Sequence, residues 1–131
     1  MNSKVMHDVL AESQAGKLTF PEVVGRLLEI GVESSFCDLA RGEETFYMTD
    51  GTTHVEKMTL PLNPVAEKFS SSGIVAAIRG AQQDTIRYPQ FVKLSTAAGV
   101  IAYWAFLTGR RVIYFGRKGE QHIEEFPPAN L

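Results

Sequence analysis

Two stretches of this chain resemble each other at a constant separation, and this similarity limits the possible folds more than any other feature. Residues 16–24, GKLTFPEVV, correspond to residues 84–92, DTIRYPQFV, so that Phe20 aligns with Tyr88. We call the separation between these two aromatic residues the repeat offset. At the same offset and without a gap, the alignment matches the residues that punctuate each unit, namely Pro21 with Pro89, Gly31 with Gly99 and Gly51 with Gly119. The sequence therefore predicts a single domain over residues 1–131, made of two repeats at about 1–63 and 69–131.

Each repeat is predicted to contain two helices followed by three strands. In the first repeat, helices over residues 3–14 and 20–30 precede strands over 32–39, 45–48 and 53–60. In the second, helices over 66–82 and 88–98 precede strands over 100–107, 111–116 and 120–126. Thr19 and Glu22 form a capping-box pattern, and Asp50-Gly51 is typical of a hairpin turn. We therefore expect an α+β fold, with antiparallel sheet(s) and paired helix hairpins related by a pseudo-twofold axis, because a half of about 65 residues would be only marginally stable alone.

Residues 100–107, VIAYWAFL, are apolar throughout, whereas residues 32–39 are more polar. A strand without a polar face is typical of a central position in a sheet that is covered on both sides, so we expect both of those conditions here. Core packing accounts for the aromatic residues of this region, with a ligand pocket or a base-stacking surface as alternatives; they are Tyr103, Trp104, Tyr114 and Phe115. Cys37 aligns with Ala105 and is expected to be an inert, buried thiol.

The formal net charge of −2 conceals an uneven distribution. Residues 1–66 contain five Lys/Arg and ten Asp/Glu, a net −5, whereas residues 67–131 contain eight and five, a net +3. Either the basic residues near the predicted turns (Arg110, Arg111, Arg117 and Lys118) form a patch for an anion or a nucleic acid, or the two halves attract each other within one molecule or between two. A pI near 5.9 lies well below the value above about 9 that is expected of a nucleic-acid-binding domain. The second interpretation is therefore favoured, and nucleic acid is an unlikely partner.

Features of the chain bearing on location point to the cytoplasm. The single cysteine permits no internal disulfide, and no apolar run approaches the roughly 20 residues of a membrane span. The first residues, MNSKVMHD, carry acidic and basic side chains where a signal peptide would be apolar. We expect a cytoplasmic protein without a membrane partner.

The most chemically suggestive residues lie in the last predicted strand of each repeat. Because side chains alternate along a strand, Glu120, His122 and Glu124 share one face, and His54 and Glu56 share the equivalent face of the other repeat. A carboxylate two residues from a histidine can orient the imidazole for proton transfer or complete a metal site. The alternative is that both faces are simply solvated. We single out His122, Glu120 and Glu124 as candidate catalytic residues.

Sequence motifs give no metal or cofactor. The segment from Gly16 to Glu22 imitates the end of a calcium-binding loop, but the ligand positions are Ala11, Ser13 and Ala15, which supply almost no oxygen ligands. Phosphate-binding glycine loops, dinucleotide fingerprints and nucleophile elbows are also missing from the sequence. We therefore predict no metal and no cofactor.

Several segments together resemble an uncharacterised bacterial and prophage family, a domain-of-unknown-function group often labelled "phage envelope protein". They are residues 16–24, Gly31-Val32-Glu33-Ser34, Asp50-Gly51, Ala76-Ala77-Ile78-Arg79 and Tyr114–Glu120, followed by His122 and Phe126-Pro127. The resemblance covers nearly the whole chain and implies membership, but it brings no established activity.

Two functions are compatible with these observations. The first is a non-enzymatic binding or interaction module in a bacterial or prophage setting, self-associating through a sheet edge or through the oppositely charged halves. The alternative is a ligand-binding protein or enzyme that uses the groove between the repeats for a small anionic molecule. In that case His122 would transfer a proton, and the ligand-binding residues would be Arg117, Lys118, Tyr114 and His54. Whether the protein is an enzyme is left open.

Overall fold

The computed structural model describes residues 3–126, which form four helices and six strands. In chain order these are α1 (Ser3–Gln14), α2 (Phe20–Glu29), β1 (Val32–Asp38), β2 (Glu43–Met48), β3 (Thr53–Lys57), α3 (Ser71–Gln82), α4 (Tyr88–Ala97), β4 (Val100–Phe106), β5 (Arg111–Gly116) and β6 (Gln121–Glu125). The predicted α+β class is confirmed. Each element from α3 onward begins and ends at the repeat offset from its counterpart in the first half.

The six strands form one antiparallel sheet in the order β3-β2-β1-β4-β5-β6. The strands that open each half, β1 and β4, are therefore neighbours at its centre. Phe36 of β1 lies directly opposite Trp104 of β4. The register repeats as well, since Val32 faces Met48 in the first half and Val100 faces Gly116 in the second.

Local signals in the sequence explain where α2 begins and ends. The Thr19 side chain accepts a hydrogen bond from the backbone N–H of Glu22 at 3.3 Å, and the Glu22 carboxylate accepts one from the Thr19 N–H at 2.8 Å. The helix ends before Gly31, whose φ of 89° lies in the left-handed region that suits glycine. The capping box and the helix-terminating glycine predicted from sequence are thus confirmed.

Two predicted boundaries are wrong by three residues or more. The third helix begins at residue 71 rather than 66, because the Ser70 side chain caps it by accepting a hydrogen bond from the Gly73 N–H at 3.0 Å. The third strand ends at Lys57 rather than at residue 60. Beyond that point the Met58 N–H donates a hydrogen bond to the Gly42 carbonyl at 2.7 Å, and this bond lies outside the ladder between β3 and β2.

All four helices pack on the same face of the sheet. The core between the two layers contains Met6 and Val9 from α1, Ile74 from α3, and Phe46 and Val100 from the sheet, all with 1% exposure or less. The expectation that residues 100–107 occupy the centre of the sheet is confirmed. The expectation that both faces of this strand are covered is wrong, because no described helix covers the face that carries Trp104.

Candidate ligand cavity

A cavity of about 120 Å³ lies between the helices and the sheet. Both halves contribute to its wall, through residues 9–46 and 78–126, and side chains from all four helices line it. Most of the lining is aliphatic or aromatic. Protein interiors seldom contain voids larger than a water molecule, so a space of this size in so short a chain is a candidate ligand site.

Polar side chains form a row across the helix-facing side of the sheet. The strand register places one residue from each strand in line, and these are Glu56, Glu44, Cys37, Tyr103, Tyr114 and His122. Of this row, Glu44, Tyr103 and Tyr114 line the cavity. The apolar cavity therefore has a floor with several polar groups.

Glu44 is the most unusual of these residues. Its side chain points into the helix–sheet interior, and the residue is only 7% exposed. Burial raises the pKa of the Glu44 carboxyl to about 7, against a hydrogen bond from Ser35 that lowers it. Its counterpart at the repeat offset is Val112, which is also buried and also lines the cavity. The fold therefore accepts an apolar side chain at this place in the sheet, and Glu44 is not required by the architecture.

Two tyrosines and the cysteine form a hydrogen-bonded group beside Glu44. The hydroxyl groups of Tyr88, on α4, and Tyr103, on β4, are 2.8 Å apart, and the Cys37 sulfur lies 3.5 Å from the Tyr88 hydroxyl. Burial is the largest cause that raises the pKa of each of the three groups. They are therefore neutral at physiological pH. The prediction that Cys37 is buried is confirmed.

The His-x-Glu pair of β6 lies at the edge of the cavity. The Nε2 atom of His122 is 3.4 Å from the Glu124 carboxylate, which also accepts a hydrogen bond from Arg79 at 2.8 Å. Partial burial raises the pKa of Glu124, but the hydrogen bonds from Arg79 and His122 outweigh it and hold the pKa below its ordinary value. Glu124 and Tyr114 line the cavity. His122 does not line it, but its ring centre lies 6.3 Å from that of Tyr114.

The equivalent pair on β3 makes a separate cluster. Nε2 of His54 lies 2.6 Å from one oxygen of the Glu56 carboxylate, and Nδ1 of His7 lies 2.8 Å from the other. This cluster joins α1 to an outer strand and does not line the cavity. Within residues 3–126, no group of three or more His, Cys, Asp or Glu side chains is arranged to hold a metal ion.

The remaining sequence-predicted residues lie away from the cavity. Arg117 donates to the Val65 carbonyl at 3.3 Å, and Lys118 lies 3.5 Å from the Glu67 carboxylate. Glu120 accepts a hydrogen bond from the backbone N–H of Lys118 at 2.9 Å. The structure thus brings together Tyr114, His122 and Glu124, and leaves the basic pair and Glu120 on the β5–β6 hairpin.

Sequence reasoning missed Glu44 and Tyr88 as parts of a possible site, and considered Tyr103 only as an alternative to core packing. For Glu44 a signal existed, since Glu44, Phe46 and Met48 alternate along one strand and the carboxylate therefore falls on an apolar face. No comparable signal marked Tyr88, because its partner Tyr103 comes from a separate element, the strand that follows α4.

A family model described as "Protein of unknown function (DUF1398)" matches residues 9–125. No curated protein matches the chain. Among the described residues, no helix combines the length and the apolar character needed to cross a bilayer.

Proposed function

The chain belongs to the DUF1398 family of proteins of unknown function, and we propose that it binds a small, mostly apolar molecule in the helix–sheet cavity. The molecule carries one group that donates hydrogen bonds, such as a protonated amine or a hydroxyl, and Glu44 accepts from that group. The buried carboxyl of Glu44 is the observation that carries this proposal.

A carboxyl group at this position costs the folded protein stability unless something compensates for its burial. The internal counterpart Val112 fills the equivalent place without that cost. Ser35 provides one hydrogen bond to Glu44, but a carboxylate has room for about four. A ligand that donates to the remaining positions would satisfy the group and would explain why a glutamate is there.

The cavity volume indicates the size of the ligand. An engineered apolar cavity of about 150 Å³ binds benzene, so a space of about 120 Å³ suits one small ring or a short aliphatic chain. The aliphatic and aromatic lining supplies the contact surface, and the polar floor fixes the orientation.

The charges in the cavity favour a donor over the anion considered from sequence. Both acidic groups of the lining, Glu44 and Glu124, would repel an anion. The cation of the lining, Arg87, is paired with Asp84 and donates to the Gly16 carbonyl at 3.2 Å. The basic pair of the β5–β6 hairpin does not reach the cavity.

Binding of four single-ring probes would test this proposal. Benzylamine, benzyl alcohol, toluene and benzoate would be titrated into the protein at pH 8 and followed by calorimetry. We expect benzylamine to bind most tightly and benzoate least. Glu44→Gln should weaken benzylamine about tenfold or more, as expected for the loss of a hydrogen bond to a charged group, and should leave toluene unchanged. Glu43→Gln, one residue away on the opposite face, is the matched control.

Three results would contradict the proposal: benzoate binding as tightly as benzylamine, an unchanged benzylamine affinity in Glu44→Gln, or no binding of any probe at millimolar concentration. Tighter binding of benzoate would support the anionic ligand instead. In that case Arg117→Ala should reduce benzoate binding.

We further propose that the two halves descend from one duplicated unit and are related by a pseudo-twofold axis. This proposal is supported by the element bounds and the strand register, because both repeat at the same offset. A cytoplasmic location and a bacterial or prophage setting are also proposals, supported by the sequence features described first. Superposition of residues 3–57 on residues 71–125 in an experimental structure would test the axis, and a failure to overlay Pro21 on Pro89 would refute it.

A further inference from the structure

The face of the sheet opposite the helices is apolar and is covered by no described element. Its central part carries Phe36, Tyr47, Trp104, Phe106, Ile113 and Phe115, which alternate along their strands with the residues that face the helices. None of these six packs against the helix–sheet core. On the two outer strands, Val55 and Ile123 continue the same face and are 54% and 48% exposed. We refer to these eight residues as the open face.

The rings at the centre of the open face are ordered by contacts with one another. Trp104 stacks on Phe106, with ring centres 5.4 Å apart and planes at 10°, and on Tyr47, at 5.7 Å and 26°. Phe36 meets the edge of the same indole at 5.0 Å. Because packing already restricts these side chains, little rotamer entropy remains to be lost on association, and rigid aromatic groups of this kind are frequent anchors of interfaces.

We propose that a second copy of this chain packs on the open face, sheet against sheet, in a twofold-symmetric dimer. Six strands of five to seven residues, spaced about 4.8 Å apart with a rise of about 3.4 Å per residue, give a face of about 500 Å². Two such faces bury about 1,000 Å² together, which is the lower limit expected of a biological interface. Face-to-face packing of twisted sheets is also a common way to bury an apolar sheet surface.

The distribution of side chains on the open face suits a copy of itself. A twofold interface brings the same patch together from both subunits, so the patch must be self-complementary. Here the apolar pattern repeats on both sides of the sheet centre. Tyr47 corresponds to Phe115, and Val55 corresponds to Ile123, each pair at the repeat offset.

The charges at the rim of the open face also favour a second copy of this chain as the partner. One corner on each side of the sheet holds an acid beside a base: Glu43 lies opposite Lys57 on one side, and Arg111 lies 3.0 Å from Glu125 on the other. Mixed signs of this kind fit a second identical surface. A sheet face that stacks nucleic-acid bases would instead need a surplus of basic residues around its aromatic rings.

The single tryptophan of the chain makes the proposal directly measurable. Trp104 lies at the centre of the open face, so its emission should shift to longer wavelength when a dimer is diluted into monomers. Sedimentation from 1 to 100 µM should give twice the monomer mass of 14.5 kDa at the upper end, and the emission shift should follow the same concentration dependence.

The double variant Val55→Glu/Ile123→Glu changes two half-exposed positions that the core does not need. It should weaken the dimer about 100-fold or more, because like charges would meet within the interface, while helical content stays the same. The matched control is Leu94→Glu, which alters a side chain on α4 that is 47% exposed and should leave the dimer intact.

A sedimenting mass of 14.5 kDa throughout the concentration range would overturn the proposal. So would a dimer that survives Val55→Glu/Ile123→Glu, or one that Leu94→Glu dissociates, since either would place the contact elsewhere. If the protein is a monomer and polyuridine quenches Trp104 in a salt-dependent way, the open face is a nucleic-acid surface and the dimer is refuted. Probe binding in the cavity is measured separately from dimerisation. Failure of the ligand proposal would therefore not imply failure of the dimer proposal, or the reverse.

Discussion

Glu44→Gln removes a buried ionisable group and keeps the shape of the side chain, so its effect on stability can be worked out from the structure. Burial raises the pKa of Glu44 from 4.5 to about 7 in the folded protein. Between these values the folded protein holds a proton that the unfolded chain has released. The free energy of unfolding of the wild type therefore falls as pH rises through this window and stays low above it.

The size of the effect follows from the two pKa values. At about 1.4 kcal/mol per pH unit, the difference between 4.5 and about 7 corresponds to about 3 kcal/mol. Glutamine does not ionise, so Glu44→Gln should match the wild type near pH 4.5 and exceed its stability by about 3 kcal/mol at pH 8. In a chain of this length, that gain raises the Tm by on the order of 10 °C.

Urea denaturation followed by circular dichroism at pH 5, 6, 7 and 8 would measure this difference. Protein concentration must be held constant, because self-association adds to apparent stability. Glu43→Gln is the control, since the hydrogen bond from Arg41 lowers the pKa of Glu43 and confines its titration to more acidic pH. That variant should show no gain that grows between pH 5 and 8.

A stability difference between Glu44→Gln and the wild type that stays constant with pH would refute this reasoning. A variant less stable than the wild type at pH 8 would refute it as well. Either result would mean that the Glu44 carboxylate is better solvated or better paired in the folded protein than its position indicates.

Three further changes test other parts of the structure. Ser13→Leu adds two buried carbon-sized groups to the cavity wall, so it should abolish probe binding in calorimetry and raise the free energy of unfolding by about 1–2 kcal/mol. Gly99→Ala places a Cβ 2.5 Å from a backbone carbonyl oxygen at a φ of 88°, so it should lower the free energy of unfolding by about 3 kcal/mol. Gly51 has a similar φ of 89° but lies in open space. Gly51→Ala should therefore cost about 1 kcal/mol in the same denaturation assay. Tyr88→Phe removes the hydrogen-bond partner that lies 2.8 Å from the buried Tyr103 hydroxyl and should cost about 1–3 kcal/mol, and the double variant Tyr88→Phe/Tyr103→Phe should recover part of that loss.

Much of the fold could be predicted because its boundaries rest on local chemistry. Thr19 with Glu22 marks the start of α2, and Gly31 marks its end, so these limits are visible in a short window of sequence. The end of β3 was harder to place. The Gln14 side chain there accepts hydrogen bonds from the backbone N–H groups of Thr59 and Leu60, which lie far from it along the chain.

The site was less predictable because it depends on how the two layers are spaced. Alternation along β6 correctly placed His122 and Glu124 on one face, but no local pattern indicates that a cavity opens beside Glu124. For residues 100–107 the pattern shows only that both faces avoid water. It does not distinguish a helix layer from another molecule as the cover for Trp104.

The seam between β1 and β4 has a consequence for synthesis of the chain. β1 ends at Asp38 and β4 ends at Phe106, so two helices and two strands are made between them. At a synthesis rate of about 5–20 residues per second, β4 is completed roughly 3–14 s after β1. The edge of β1 that pairs with β4 stays without that partner during this time. During that interval the nascent chain presents an unprotected strand to other growing copies, and the second half acts as the partner that closes it.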